Sequence, residues 1–451
     1  MSEDAFEETV AAVRERVDPS PEEREQLRAA ADEIIERAET AVAEYSPGAD
    51  VMQVGSTARG TWISGDRDID VFVRFPADLD RETLEEYGLA VGHAVLPDGH
   101  EEYAEHPYIK GEYEGFDIDL VPCFRVPEAP AIRSAVDRTP FHNEYLREHL
   151  DESLAADVRV AKQFLKGIGV YGSNLRTEGF SGYLTELLIY ECGGFRAFLE
   201  AATDWEPPVV FDPEDHAAQE FDDPLVVIDP TDPERNVAAV LSAENFARLQ
   251  HHARAFLDEP TVERFFPSST GALDAEGVRE QVEERGTTPV AVRFDAPDLV
   301  DDQLWPQLRR SLMGVANELE RRGFDPLRWE TFADESAVLF VECAVAERPA
   351  VERHQGPPVY VRQHATGFYE KYADSEAYGP FIEDDRYVVE RKRDVRTPRE
   401  LLDSDRLFDV ALGAHVESAL REEYEVLVGE EVTALAAEFG IELADYFSPR
   451  P

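Results

Sequence analysis

Apolar residues recur at helical spacing between Pro21 and Tyr45, where Leu27, Ala31, Ile34, Ile35, Ala38 and Val42 form one stripe. That period predicts an amphipathic helix, and Ser46 to Asp50, SPGAD, breaks it. The pattern then shortens to β-branched and aromatic runs, VMQV and IDVFVRF, which predict strands. Residues 80–96 return to a helical pattern, and GFDIDLVPC predicts a further strand ended by Pro122. Helix, strands, helix and strand, without regular alternation, predict a small mixed sheet carrying helices on one face.

Downstream, the proline-rich VPEAPAIRSAVDRTPFH leads into helical patterns over DVRVAKQFLKGIG and over FSGYLTELLIYECGGFRAFLEAA, the second with Ser181 as its cap. VVIDP predicts a short strand, and NVAAVLSAENFARLQHHARAFLDEP another helix. From Phe265 the order becomes strand (TTPVAVRFDAP), long helix (LWPQLRRSLMGVANELERRGF) and strands (SAVLFVECAVAER, RYVVERKRDV), with helices near the end. The expected class is α+β and multidomain, with segments 1–140, 141–264 and 265–451.

One strand breaks its own pattern. Asp68 and Asp70 lie in the apolar run DIDVFV. Strand alternation points both to one face, roughly 7 Å apart, with Ile69, Val71 and Val73 on the other. Gly55 and Ser56 lie a loop's length upstream. A glycine there lets backbone N–H groups approach a phosphate, and a serine hydroxyl can donate to it. Asp117 and Asp119 alternate onto one face of a later strand, and alternation does not choose between them. Such carboxylates suit Mg²⁺, which prefers carboxylate and triphosphate oxygens.

Composition sets the surroundings. The 451 residues carry 44 Lys plus Arg against 96 Asp plus Glu, a formal net charge of −52. The acidic residues are spread along the chain rather than blocked, which predicts a hydrated surface adapted to a cytoplasm at molar salt, as in a halophile. Cys123, Cys192 and Cys343 are scattered, predicting three buried thiols and neither a zinc site nor disulfides. No apolar run is long enough for a membrane span, and MSEDAFEETV lacks the marks of a secretory signal. A cytoplasmic protein is expected.

GIGVYG, Gly167 to Gly172, matches G-x-G-x-x-G, but it follows a helical pattern rather than a strand. It predicts a helix end and tight turn, not a dinucleotide fingerprint. Lys162 and Lys166 stand four apart on that helix, in a chain whose other lysines are only Lys110, Lys371 and Lys392. A lysine point charge suits a triphosphate. Tyr171 can stack on a base or pack, and His142 can donate to a phosphate or ribose. Arg235 and Asn236 carry donors for a base edge, or cap a helix.

Gly-Ser, then D-x-D, then a later aspartate resembles the nucleotidyltransferase superfamily founded on DNA polymerase β. Longer stretches, GSTARGTW, DIDVFVRFP, YAEHPY, DLVPC, SAVDRTPFH, GFSGYL, DPERNVAA and PDLVDDQLWPQL, follow in order from residue 55 to beyond 305. Together they resemble the archaeal, class I family of CCA-adding enzymes, SAVDRTPFH, GFSGYL and RNVAA being the most specific. The resemblance implies a polymerase-β-like palm over 1–140, a helical neck over 141–264 and a tRNA-binding α+β body and tail over 265–451. It selects Asp119 over Asp117, and implies Asp68, Asp70 and Asp119 as catalytic ligands of two Mg²⁺ ions, with Mn²⁺ as a substitute. Members of the family often carry glutamate where this chain has Asp68, a change of one methylene. Ser56 beside Gly55, Arg59, His142, Lys162 and Tyr171 are implied as triphosphate contacts, and Arg235 with Asn236 as the base-selecting pair. The implied partners are tRNA, ATP and CTP, with a homodimer allowed and no membrane. The implied activity is template-independent addition of C, C and A to tRNA. Two rivals are a poly(A)-polymerase-like transferase and a non-catalytic RNA-binding scaffold.

RNA must dock on this acidic protein, and Arg309, Arg310, Arg321, Arg322, Arg391, Lys392 and Arg393 are the expected anchors. At molar salt counterion release contributes little, so recognition depends on shape, stacking and 2′-hydroxyl contacts. Binding of tRNA is therefore expected to persist at about 2–3 M KCl, where the Debye length is near 3 Å. A binding titration across salt checks this, and strong binding near about 0.1 M that vanishes at high salt would count against it.

Overall fold

A computed structural model describes residues 3–268 and 271–451. They divide into two compact units, one reaching to Ser268 and one running from Gly271 to Arg450.

The first unit begins with α1 (Glu3–Val17) and α2 (Pro21–Tyr45). Ser20 starts α2 with a reciprocal cap: its hydroxyl accepts from the Glu23 N–H at 3.1 Å, and the Glu23 carboxylate accepts from the Ser20 N–H at 2.7 Å. The helix has the expected bounds, and its stripe is buried apart from Ile35, which is partly so. Next come β1 (Asp50–Val54), the short α3 (Gly55–Arg59), β2 (Asp68–Pro76), α4 (Arg81–Val95), β3 (His100–Tyr103), β4 (Pro107–Tyr113) and β5 (Phe116–Arg125). They build a five-stranded sheet in the order β1-β2-β5-β4-β3, in which β2 and β5 are parallel and the other pairs antiparallel. Alternation sorts its faces. Ile69, Val71, Val73, Phe75, Ile118 and Leu120 are fully buried in a core shared with α2 and α4, while the aspartates take the opposite face. The mixed sheet with helices on one face forms as expected.

Some details differ from expectation. The β3–β4 hairpin and α1 were not among the predicted elements: HEEY lacks an alternating apolar face, and α1 carries only four large apolar residues, Phe6, Val10, Val13 and Val17. Pro122 does not end its strand, since β5 continues to Arg125. β4 pairs with β5 only as far as Leu120, so the proline lies where the strand has lost that neighbour.

The connection after β5 is held by one buried side chain. Asp137, fully buried, accepts from the backbone N–H groups of Phe124 (2.7 Å), Arg133 (2.9 Å) and Ser134 (2.8 Å). Beyond it lie α5 (Thr139–His149), α6 (Glu152–Gly167), α7 (Gly182–Cys192), α8 (Phe195–Thr203), β6 (Val209–Phe211), β7 (Leu225–Asp229), β8 (Asp232–Asn236) and α9 (Ala243–Asp258). Ser181 caps α7 as predicted, accepting from the Leu184 N–H at 3.0 Å. The single helix expected over FSGYL to LEAA is two, because Gly193 and Gly194 adopt φ of 82° and 130° and turn the chain between α7 and α8. GIGVYG is a helix end and turn, with α6 stopping at Gly167. The helix expected from Asn236 begins only at Ala243, capped by Ser242.

These helices form a second core around Phe164, Phe195, Phe256 and Phe265, whose ring centroids lie 5.2–6.2 Å apart. α1 belongs to this core: Phe6, Val10, Val13 and Val17 are buried in it, with Phe6 5.5 Å from Phe256.

The second unit contains α10 (Ala275–Arg285), β9 (Thr288–Asp295), α11 (Asp301–Arg322), β10 (Pro326–Ala333), β11 (Ser336–Cys343), β12 (Val351–Pro358), α12 (Arg362–Ala373), β13 (Tyr378–Glu383), β14 (Arg386–Lys392), α13 (Pro398–Leu402), α14 (Ala414–Glu422), β15 (Glu425–Val428) and α15 (Ala436–Phe447). Its sheets run β10-β11-β9-β15 and β12-β14-β13. Several of the arginines expected to anchor RNA already have acidic partners: Arg321 and Arg322 pair with Glu318, and Arg391 and Arg393 with Glu352. Cys123 and Cys343 are buried as expected, whereas Cys192 is only partly so.

Replacing Asp137 with alanine strips three buried N–H groups of a charged acceptor, a loss of about 3 kcal/mol. The melting temperature of Asp137→Ala is expected to fall by about 5–10 °C. A scanning-calorimetry trace matching wild type would show that the connection is held by something else.

Candidate active site

Strand register sets Val54, Asp70, Asp119, Lys110 and His100 in one row across the sheet. Asp68 and Asp117 form the pair two residues earlier. Neighbouring strands lie about 4.8 Å apart, so two pairs of carboxylates stand side by side on the open face. Val54, Phe72, Val121 and Cys123 form an apolar floor beside them. Gly55 closes over Asp70, with φ of 77°, and a Cβ built on it would lie 2.0 Å from Asp70 Oδ2. Only glycine lets the chain leave β1 and turn into α3 at that point.

The electrostatics follow from the crowding. Burial first, then the charges of Asp119 and Asp68, push the Asp70 pKa up to about 6, against the pull of Arg59 and Lys110. Partial desolvation of its carboxyl also raises Asp68, although the residue as a whole is exposed, with Asp117 and Asp66 adding to it. Lys110 Nζ stands 3.3 Å from Asp119 Oδ1. Burial alone would lower the Lys110 pKa, but Asp119 and the other acids nearby raise it. The ion pair is out of hydrogen-bond alignment, leaving Asp119 Oδ1 buried with no hydrogen-bond donor.

These features fit a hard divalent cation: an oxygen-only donor set, a buried oxygen lacking a donor, and a carboxyl whose ionisation is held back by burial and by its carboxylate neighbours. The trio is not drawn tightly together, however. Among the described residues no three acidic, histidine or cysteine side chains are grouped closely enough to hold a metal. Asp70 and Asp119 are adjacent, while Asp68 stands exposed at the start of β2.

A second carboxylate, the fully buried Glu186 on α7, gathers the cations around α3. Arg59 donates Nε to Glu186 Oε2 at 3.0 Å and Nη1 to Asn143 Oδ1 at 3.0 Å. Lys162 Nζ donates to Glu186 Oε1 (3.2 Å), Thr61 O (3.1 Å) and Thr61 Oγ1 (3.3 Å). Burial opposes the charge on Glu186, but Arg59 and Lys162 outweigh it and hold this carboxyl low; burial lowers the Lys162 pKa. Lys162 is thus buried with all three N–H groups engaged, rather than reaching openly towards a ligand. It remains beside Tyr171: a Cβ on Gly182 would lie 3.1 Å from the Tyr171 hydroxyl and 3.7 Å from Lys162 Nζ. Lys166, its neighbour one turn on, lies 5.4 Å from the centre of the Tyr171 ring. The Ser56 side chain is partly buried beside Gly55.

A third carboxylate, Asp229 at the end of β7, is also fully buried. His142 Nε2 and Arg235 Nη1 both reach its Oδ2 at 2.7 Å, and the His142 ring stacks on Tyr183 at 4.0 Å. Burial works against the Asp229 charge, yet His142, Thr231 and Arg235 hold the carboxyl well below the usual range. Burial lowers the His142 pKa, against the pull of the Asp229 carboxylate that its Nε2 meets. Asn236 is a correction. It does not cap a helix, nor does it offer its amide to a ligand. It sits buried on β8, accepting from the N–H groups of Val227 and Ala238 (2.9 Å each) and donating to Asp223 Oδ2 (2.9 Å) and Leu225 O (3.1 Å).

Three family models match in series: a nucleotidyltransferase domain over residues 35–142, the second domain of tRNA nucleotidyltransferase over 156–266, and the C-terminal domain of CCA-adding enzyme over 285–429. The CCA-adding enzyme of Haloarcula marismortui is 60% identical, covering 99% of this chain and 100% of its own. The chain belongs to the family of archaeal CCA-adding enzymes. Its relative from Methanosarcina barkeri is 42% identical over 93% of this chain and 94% of its own. Among solved structures, that of CdnC from E. coli MS115-1 with ATP is 18% identical, with a TM-score of 0.45 over 58% of this chain and 97% of that one.

Lys110, Glu186 and Asp229 were not among the predicted site residues. Each carried a readable signal, a charge inside or at the end of an otherwise apolar or strand-like run: YIKGEY, YLTELLIY and LVVID.

The raised Asp70 pKa has a consequence for the metal-free protein. Below the unfolded-state value of about 3.9 the carboxyl is protonated in both states and its contribution is intact. As pH climbs through about 6 the folded state must ionise it beside Asp119, and up to about 3 kcal/mol is lost. Asp70→Asn, which cannot ionise, is expected to unfold at a higher temperature than wild type in EDTA at about pH 8, with the gain gone near pH 4. A gain of equal size at both pH values would refute the assignment.

Proposed function

We propose that this protein extends immature tRNA by C, C and A, transferring CMP, CMP and AMP from CTP and ATP to the 3′-hydroxyl with release of pyrophosphate and without a template. The observation that carries this reading is the adjacency of Asp70 and Asp119 across the parallel β2–β5 pair, under Gly55, in a chain of this family. Asp68, Asp70 and Asp119 would hold two Mg²⁺ ions, or Mn²⁺. When bound, such ions supply the positive charge that activates an attacking hydroxyl and neutralises a leaving oxygen.

The chain's own residues bind and orient. Ser56, Arg59, His142 and Tyr171 take the triphosphate, and Gly55 keeps the backbone low enough for its approach. Lys162 adds positive charge from behind and touches a phosphate only by giving up one of its bonds to Thr61 or Glu186. Arg235 reads the base. A guanidinium is donor-only, and the ring nitrogens N3 of cytosine and N1 of adenine accept. In uracil and guanine the corresponding nitrogens carry hydrogen, so a donor-only reader leaves donors facing donors and rejects them. Residues 1–140 would act as catalytic palm, 141–264 as neck, and 265–451 as the tRNA-binding body and tail. The even spread of acidic residues, and the halophilic genus of the Haloarcula relative, support a protein working in a salt-rich cytoplasm.

Purified protein, tRNA lacking its CCA end and single or mixed NTPs in about 2–3 M KCl provide the test. Incorporation of C, C and A followed by arrest is expected, and Asp70→Ala should reduce it to background. Unlimited A addition would favour the poly(A)-polymerase-like reading, and full incorporation by Asp70→Ala would remove the carboxylate mechanism.

A further inference from the structure

The triphosphate-facing His142 and the base-reading Arg235 hydrogen-bond one and the same atom, Asp229 Oδ2, at 2.7 Å each. We infer that Asp229 is a positioning residue for nucleotide selection, one that fixes where Arg235 points by holding it against the group that holds His142. This inference rests on the reading of Arg235 as the base selector.

Asp229 is built as a fixed post. Its Oδ1 accepts from the Thr231 N–H (2.9 Å) and hydroxyl (2.8 Å), and the Tyr183 hydroxyl lies 3.5 Å away. His216 Nε2 meets its backbone carbonyl at 3.0 Å. The carboxylate is thereby locked to the turn between β7 and β8 and cannot follow a moving partner. Arg235 is engaged at Nη1, and its side chain is 36% exposed, so one nitrogen of the fork is tethered while the side chain keeps access to solvent. An untethered arginine loses rotamer freedom on meeting a base. A tethered one has already lost it, and presents its donors in one place. His142 is restrained in the same way, by Asp229 at its edge and Tyr183 across its face. Four elements, α5, α7, β7 and β8, thus meet at one carboxylate, and the base-reading and phosphate-facing groups share a single reference point.

The test compares full-length wild type, Asp229→Asn, Arg235→Ala and the double variant in high KCl, measuring kcat and KM for CTP and UTP on tRNA lacking CCA. Asp229→Asn should lower the CTP-over-UTP ratio of kcat/KM by about tenfold or more, chiefly through KM. It should lower the ratio no further in the Arg235→Ala background. An unchanged ratio in Asp229→Asn beside a fallen one in Arg235→Ala overturns the inference and leaves the reading of Arg235 standing. An unchanged ratio in Arg235→Ala overturns that reading and the inference with it. Should Asp229→Asn not fold, the link is read from the His142 titration, followed by ¹⁵N NMR in wild type and Arg235→Ala. The groups facing His142 are Asp229, Arg235, Arg138 and Tyr183. Removing Arg235 leaves the shared oxygen to His142 alone, and its pKa should rise by about half a unit or more. An unmoved midpoint overturns the coupling.

Discussion

Like charges forced together by strand pairing are the constraint on which the first unit depends. A parallel β2–β5 pair in this register must carry Asp70 against Asp119 and Asp68 against Asp117, and no side-chain rearrangement moves their backbones apart. The cost is met locally in three ways. Lys110 arrives from β4 in the same row, Arg59 contributes from α3, and the carboxyl most deeply placed gives up part of its tendency to ionise. The opposite face of the same strands supplies the stability that makes such crowding tolerable, since every alternate residue there is buried beneath α2 and α4.

The same logic governs the cations. In a protein with more than two acidic residues for every basic one, positive groups are scarce, and those near the site are held in place by buried acids. Glu186 holds Arg59 and Lys162, and Asp229 holds His142 and Arg235. Removing either carboxylate would leave buried donors uncompensated, which is costlier than never having built the pair. Order at the site therefore rests on two fully buried carboxylates.

Much of this was legible in the sequence, for a definite reason. Asp68 and Asp70 stood out because strand alternation has no slack: a charge in a β-branched run must face somewhere other than the core. Glu186 broke its run just as visibly, yet a helix normally has a polar face to receive a glutamate. Only the packing reveals that Leu184 to Ile189 of α7 are buried on every side. Asn236 was expected at a base edge or as a helix cap because it lies just before an apolar helical run, whereas the chain there is still a strand and its amide is spent closing the hairpin. Strand order was out of reach as well. Nothing local indicates that β5 inserts beside β2 while the intervening hairpin is pushed to the edge.

The placement of α1 bears on how the protein is made. Its apolar stripe, Phe6, Val10, Val13 and Val17, finds its berth only among rings that include Phe195 and Phe256. During synthesis α1 leaves the ribosome long before those rings do, while the sheet and its two covering helices have all their own parts much earlier. A greasy amphipathic segment must therefore wait, unpartnered, through the translation of some two hundred codons. That interval is the moment at which a nascent chain is most exposed to sticking to its neighbours, and the moment at which a chaperone has most to protect.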